Sequence, residues 1–184
     1  MAHEGYPWFQ VVSDDTLEQG DIICDCPILT VPSDLNADHL DMPGQEMKAE
    51  AEFQRFDVVL MSQSCDMVKG REKLGDILLC PLYQPSDFAE GEPLSKIKNW
   101  EGARKGRYPA YHVINACNIP DHASGFRIVS FRETFSLPVG FLRELAVRRG
   151  ERLRLLPPYR EHLSQAFARF FMRVGLPVDI PQFK

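Results

Sequence analysis

Short apolar runs separated by Gly, Pro and Asp dominate the first two-thirds of the chain. The clearest is Phe56 to Met61 (FDVVLM), which is β-branched, too short for a helix, and followed by the small polar residues Ser62, Gln63, Ser64, Cys65 and Asp66. Gly75 and Asp76 launch another, Ile77 to Cys80, which Pro81 is expected to stop because proline cannot donate to a ladder. Gln19-Gly20-Asp21 is turn chemistry ahead of Ile22-Ile23-Cys24. Pro27 should disrupt that strand or make it an edge, with Ile28 to Val31 resuming beyond it. Tyr111 to Ile114 and Phe126 to Phe131 complete the set, the latter alternating in part as a half-buried strand does. Strands are therefore expected at 19–24, 56–61, 76–80 and 126–131. Two polar excursions interrupt them: the acidic segment 32–52, with a helical turn around Gln45–Phe53, and 85–107, acidic and then basic.

The pattern changes near residue 136. Ser136-Leu137-Pro138 opens a helix across Val139–Val147, since proline early in a helix costs little. A final helix is expected over 158–174, begun by Pro158 and closed by Gly175 and Pro177. Tyr159, Leu163, Ala166, Phe167, Phe170 and Val174 form its apolar stripe, and His162, Arg169 and Arg173 align on another face. The expected architecture is one α+β domain spanning 1–184. A small barrel with long loops occupies about 19–135, and a helical part about 136–176 packs its amphipathic helix on the barrel's open edge or mouth.

A chain of 184 residues can bury one core without metals or disulfides. No apolar run approaches the roughly 20 residues of a membrane span, so no membrane partner is expected. The N-terminus MAHEGYPWFQ lacks the features of a signal peptide, which points to the cytoplasm. Five cysteines, an odd number, fit free thiols in a reducing compartment. The net charge of −5 hides an asymmetry: residues 1–126 hold 10 Lys+Arg against 21 Asp+Glu, and residues 127–174 hold 10 Arg against 4 Glu. Either the two parts neutralise each other across the fold, or the arginines form a face for carboxylates or phosphates.

The succession QGDII, RFDVVLMSQ, ILLCPLYQ, RIVSFRETFSLP and RLRLL before a terminal helix resembles the MazF/PemK toxin family. The resemblance covers about two-thirds of the chain by order of elements. It implies an SH3-like β-barrel and the chemistry of an RNA endonuclease paired with an antitoxin. Asp21 matches the family's early Gly-Asp, and Arg55 matches the arginine before the second strand, an acid/base and phosphate-stabilising residue. Two departures stand out. The family's proline after that arginine is Phe56 here, and its catalytic hydroxyl, Thr or Ser, falls near Tyr83.

Further chemistry is weighed residue by residue. Cys65 could be a nucleophile with a base such as His112, or a small buried residue beside a turn-capping Asp66. Cys24, Cys26, Cys65 and Cys80 could meet as thiolates, but C-x-C is not the usual zinc spacing and no second close pair exists, so no metal and no cofactor is expected. Lys96, Trp100 and Arg104 lie in a basic loop that could bind single-stranded nucleic acid by phosphate contacts and stacking, or could simply be solvated. The face formed by His162, Arg169 and Arg173 could dock an acidic partner. No Gly-rich phosphate loop, H-E-x-x-H or G-x-S-x-G occurs, which excludes kinases, P-loop NTPases, zincins and α/β-hydrolases as first choices.

The reading that follows is a binding or regulatory component of a prokaryotic defence or conflict system, recognising a protein partner and RNA as a second possibility, without catalysis. The alternative is an endoribonuclease toxin, dimeric in the manner of the family, using Arg55 with Tyr83, Ser62 or His112. A third is a cysteine-dependent enzyme built on Cys65.

Overall fold

The computed structural model describes residues 6–31 and 52–172. Among these residues eight strands, all antiparallel, carry three α-helices. Strand β1 (Phe9–Val12) pairs with β8 (Arg152–Leu155), Phe9 opposite Leu155 and Val12 opposite Arg152. The larger sheet holds β2 (Ile22–Thr30), β3 (Glu52–Leu60), β4 (Asp76–Tyr83), β5 (Tyr111–Ile114), β6 (Arg127–Ser130) and β7 (Phe135–Pro138). Its order is β2-β3-β4-β6-β5, with β7 also on β4. A single bridge, Asp21 to Arg154, ties the two sheets together. Among the described residues no ladder closes a barrel, so the observed class is α+β with an open antiparallel sheet. The helices are α1 (Trp100–Arg104), α2 (Val139–Arg149) and α3 (Tyr159–Phe171).

The apolar runs are strands because both of their faces are covered. Val58 and Leu60 of β3 join Ile23, Ile28, Leu79, Leu142 and Ala146 on one side. Val59 and Met61 join Ile22, Cys80, Leu82, Val129 and Leu163 on the other. Helix α2 covers the first face through Leu142 and Ala146. Helix α3 covers the second through Leu163, with Ala166, Phe167 and Phe170 half-buried beside it. A strand buried on both faces loses its polar alternation, which is the run seen in FDVVLM.

Pro27 lies, as expected, on an edge strand, whereas Pro81 acts differently from expectation. β4 runs through Pro81 to Tyr83, because β7 covers Asp76–Leu79 and β6 covers Leu82–Tyr83, and Pro81 falls in the gap between those ladders. A missing N–H costs no pairing there. β2 runs through Pro27, opposite Arg55, and pairs within its sheet with β3 alone. Its register slips between Ile23 and Cys26, so Cys24 and Asp25 form a bulge with Asp25 at φ 53°. The segment Phe135–Pro138, expected as the approach to a helix, is itself strand β7 before α2 begins at Val139. Glu52 and Phe53 belong to β3, and the rest of the helical turn expected around Gln45–Phe53 lies outside the described residues, as do Arg173, Val174, Gly175 and Pro177.

The charge asymmetry resolves inward. Gly20, at φ +88° with room for no Cβ beside Leu155, turns the chain so that Asp21 enters the core. Arg152 and Arg154, two apart on β8, point to the same side of the strand. Arg154 grips the fully buried Asp21 carboxylate bidentately, with Nη2–Oδ2 at 2.9 Å, and Arg152 Nε adds a bond at 2.9 Å. Glu18 binds Arg154 at 2.6 Å and Arg160 at 3.1 Å. Arg143 pairs with Glu72, and Arg149 with Asp25 at 2.7 Å. The Arg-rich stretch is therefore largely the counter-charge of the acidic first part rather than a free basic face.

Candidate functional site

The residues singled out by sequence do not assemble into one catalytic set. Arg55 projects from β3 into solvent and pairs with Asp25 at 3.0 Å. The Tyr83 hydroxyl donates to Glu133 Oε2 at 2.7 Å, and burial, reinforced by that carboxylate, raises its pKa. Ser62 closes β3 structurally, its Oγ accepting the Leu78 N–H at 2.9 Å. His112 on β5 stacks on Phe131, and burial with the nearby His162 lowers its pKa to about 4.

Cys65 sits in a 3₁₀ turn, Ser64–Asp66, and is exposed rather than a buried spacer. Ser64 Oγ accepts the Gln19 N–H at 3.0 Å and so pins the turn to the Gln19-Gly20-Asp21 corner. The Cys65 thiol meets Asp66 at 3.5 Å, whose carboxylate Lys73 holds at 3.0 Å and keeps below its ordinary pKa. Cys65 opens onto a cleft of about 400 Å³ with Gln19, Arg160, Glu161 and Ser164, in which no histidine takes part. Among the described residues no imidazole lines this cleft, and the group beside the thiol is the Asp66 carboxylate.

The basic loop also changes character. Trp100 is 2% exposed, and its indole N–H donates to the Leu94 carbonyl at 2.8 Å, so it is a core anchor and not a stacking platform. Arg104 is taken up by Glu101 at 2.6 Å, while Lys96 is exposed. His162 and Arg169 lie on the outward face of α3. Buried Cys26 and Cys80 belong to opposite faces of the sheet, and no group of three metal-ligating side chains occurs among the described residues. No helix among them is long and apolar enough to cross a membrane.

A pocket of about 360 Å³ lies where six segments meet: the β2 bulge, β3, Gln84 just beyond β4, the loop 121–124, the start of β6, and the junction of α2 with β8. Arg127, 4% exposed, forms part of its wall. Its Nη1 lies 3.7 Å from Asp57 Oδ2, beyond hydrogen-bond reach, while Asp57 Oδ1 accepts the Asp25 N–H at 2.9 Å. The Nε and Nη2 groups of Arg127 are buried without an acceptor, and so is Ser124 Oγ. Cys24 lies beside Arg127 and Asp57, and desolvation first, then Asp57, raises its thiol pKa, so it does not neutralise the guanidinium. His122 Nε2 and Glu151 Oε2 are 3.0 Å apart on the rim. Arg149 and Arg55 both hold Asp25, Arg149 contributing most to keeping its carboxyl below the ordinary range. The two non-glycine residues with positive φ among the described residues, Asp25 at 53° and Asp121 at 64°, both line this pocket. Sparsely populated backbone conformations of this kind cluster at ligand sites.

Among the residues of this pocket, the sequence had drawn attention to Cys24 as one of four thiolates that could meet, and to His122 as one of the histidines that could serve Cys65 as a base. The local signal was C-D-C at a strand end, the site of the bulge. No family model matches the chain, and neither a curated protein nor a solved structure matches it.

Proposed function

We propose that the chain is a binding or regulatory module of MazF/PemK-like kind that engages a protein partner and has no ribonuclease chemistry. The observation that carries this reading is the engagement of Arg55, which matches the family's arginine, and of Tyr83, which stands near the place of its missing hydroxyl: Arg55 is held by Asp25 and Tyr83 by Glu133. An arginine needed for a developing phosphorane charge and a hydroxyl needed for proton transfer are here each bound to a carboxylate. The partner surface in this reading is the outward face of α3, where His162, Gln165, Arg169 and Met172 follow at helical spacing. Arg169 has no ion-pair partner among the described residues, and Met172 is 77% exposed beside it. Arginine beside exposed methionine is the composition of an interface core. The same reading takes the antiparallel sheet as an opened relative of the SH3-like barrel. The defence setting rests on the resemblance alone.

Expression of the chain by itself tests the proposal. Growth should continue, mixed RNA should stay intact with the purified protein, and Arg55→Ala should change neither. Replacing His162, Arg169 and Arg173 together by Ala should weaken partner capture without unfolding the protein. Growth arrest with discrete RNA cleavage, abolished by Arg55→Ala, would make the protein a nuclease instead.

A further inference from the structure

A buried guanidinium normally spends its N–H groups on fixed acceptors, as Arg152 does on Asp21 Oδ2, the Asp14 carbonyl and the Thr16 carbonyl at 2.6–2.9 Å. Arg127 breaks this rule in the wall of the 360 Å³ pocket. Its two orphaned groups, Nε–H and Nη2–H, lie on one edge of the guanidinium plane and point in parallel. That edge is the fork that takes two oxygens of one anion. The orphaned Ser124 hydroxyl belongs to the same pocket wall. Leaving such groups unmade is costly, and the cost is recovered when a ligand supplies the acceptors.

We propose that this pocket is a binding site for a small carboxylate, seated on the Nε–Nη2 fork of Arg127 with Ser124 Oγ as an additional donor. The charge balance selects the class. Arg127, Arg149 and Arg152 face Asp25, Asp57, Asp121 and Glu151 in the lining, so the wall is close to neutral and slightly acidic. A planar monoanion matches the two parallel N–H groups, whereas a phosphate dianion would bring a second negative charge to a wall that already holds one more carboxylate than guanidinium. The orphaned nitrogens are covered by protein, so the ligand seats as the wall gives way. Residues 121–123 of that wall lie outside regular secondary structure and include Asp121 at φ 64°. The site is separate from the outward face of α3 and stands or falls independently of the partner-binding reading.

The test is an NMR titration of the isotope-labelled full chain with sodium acetate, inorganic phosphate as a parallel arm, and chloride to hold ionic strength constant. Acetate should give a saturable shift of the Arg127 Nε–H resonance and of the backbone amides of residues 121–125. Ser124→Ala, which removes only an unpartnered hydroxyl, should keep the fold and weaken acetate binding several-fold. Arg127→Lys, which keeps the charge and loses the fork, should weaken it by about tenfold or more. If Arg127→Lys fails to fold, the wild-type titration and Ser124→Ala decide the matter. No saturable response to acetate, or a response that chloride reproduces, overturns the site. Tighter binding of phosphate than of acetate overturns the carboxylate assignment.

Discussion

Asp21→Asn removes the charge that holds Arg152 and Arg154 inside the protein. Asp21 is 0% exposed, and the two arginines are each 5% exposed. The asparagine keeps one carbonyl acceptor but turns an amide donor toward a guanidinium that is itself a donor. Breaking a buried pair by removing one partner costs about 3–5 kcal/mol, because the remaining charge is buried unpaired. Here the arginines retain the Asp14 and Thr16 carbonyls at 2.6–2.7 Å and Glu18 at 2.6 Å. Those contacts place the loss near the lower end, about 3 kcal/mol, still a large fraction of the 5–15 kcal/mol that holds a domain together. Urea unfolding followed by circular dichroism reads it as a lower midpoint at unchanged slope. Glu18→Gln, at a partly exposed carboxylate, serves as control and should cost about 1 kcal/mol or less. Replacing Asp21, Arg152 and Arg154 together by Leu, Met and Met should recover most of the loss, since an apolar triad of similar volume carries no desolvation cost. A loss below about 1 kcal/mol for Asp21→Asn would show that the two guanidiniums are satisfied without the carboxylate, and would refute the buried network as an organising element.

Three further outcomes are expected. His112 has its folded pKa lowered from 6.5 to about 4, so the unfolded chain takes up its proton first; its contribution is complete above pH 6.5, declines as pH falls toward 4 and then levels off. The decline should be at most about 3 kcal/mol and should vanish from the pH–stability profile of His112→Phe. Phe167→Ala should cost about 2–3 kcal/mol by urea titration, below the value for a fully buried ring, because Phe167 is half-buried against Phe131 at 5.4 Å. Trp100→Phe, which strands the Leu94 carbonyl, should cost about 1–2 kcal/mol in the same assay and leave any RNA affinity unchanged in a filter-binding measurement.

What could be read from the sequence was whatever depends on local chemistry. The runs at Phe56–Met61 and Ile77–Cys80 became the central strands, and the stripe through Leu163, Phe167 and Phe170 became the face of α3 that meets the sheet. Pro27 read correctly as an edge-strand proline, whereas Pro81 misled because a proline's cost depends on which edge of a strand has a partner, and Pro81 falls between two ladders. Asp21 read as a turn residue because its partners lie more than 130 residues away. The alternation R-L-R on β8 was the available hint that two cations share a side. The pocket around Arg127 was beyond local reading, since its wall comes from six segments and its strained residues, Asp25 and Asp121, are ordinary turn formers in a sequence.

The arrangement of charge also says where function should be sought. Nearly every arginine between residues 127 and 160 is assigned to a carboxylate at hydrogen-bond distance or, for Arg132, to the Tyr111 ring. Arg127 departs from this, with its nearest carboxylate at 3.7 Å and its fork empty of acceptors. Its pocket is backed by Arg152, which belongs both to that wall and to the Asp21 network. A site needs such support, because donors held by a packed, ion-paired layer do not reorganise when a ligand arrives. Arg127 differs from the exposed Arg71, Arg107 and Arg169, which also have no carboxylate partner among the described residues, in that its unmatched donors are buried in a pocket wall.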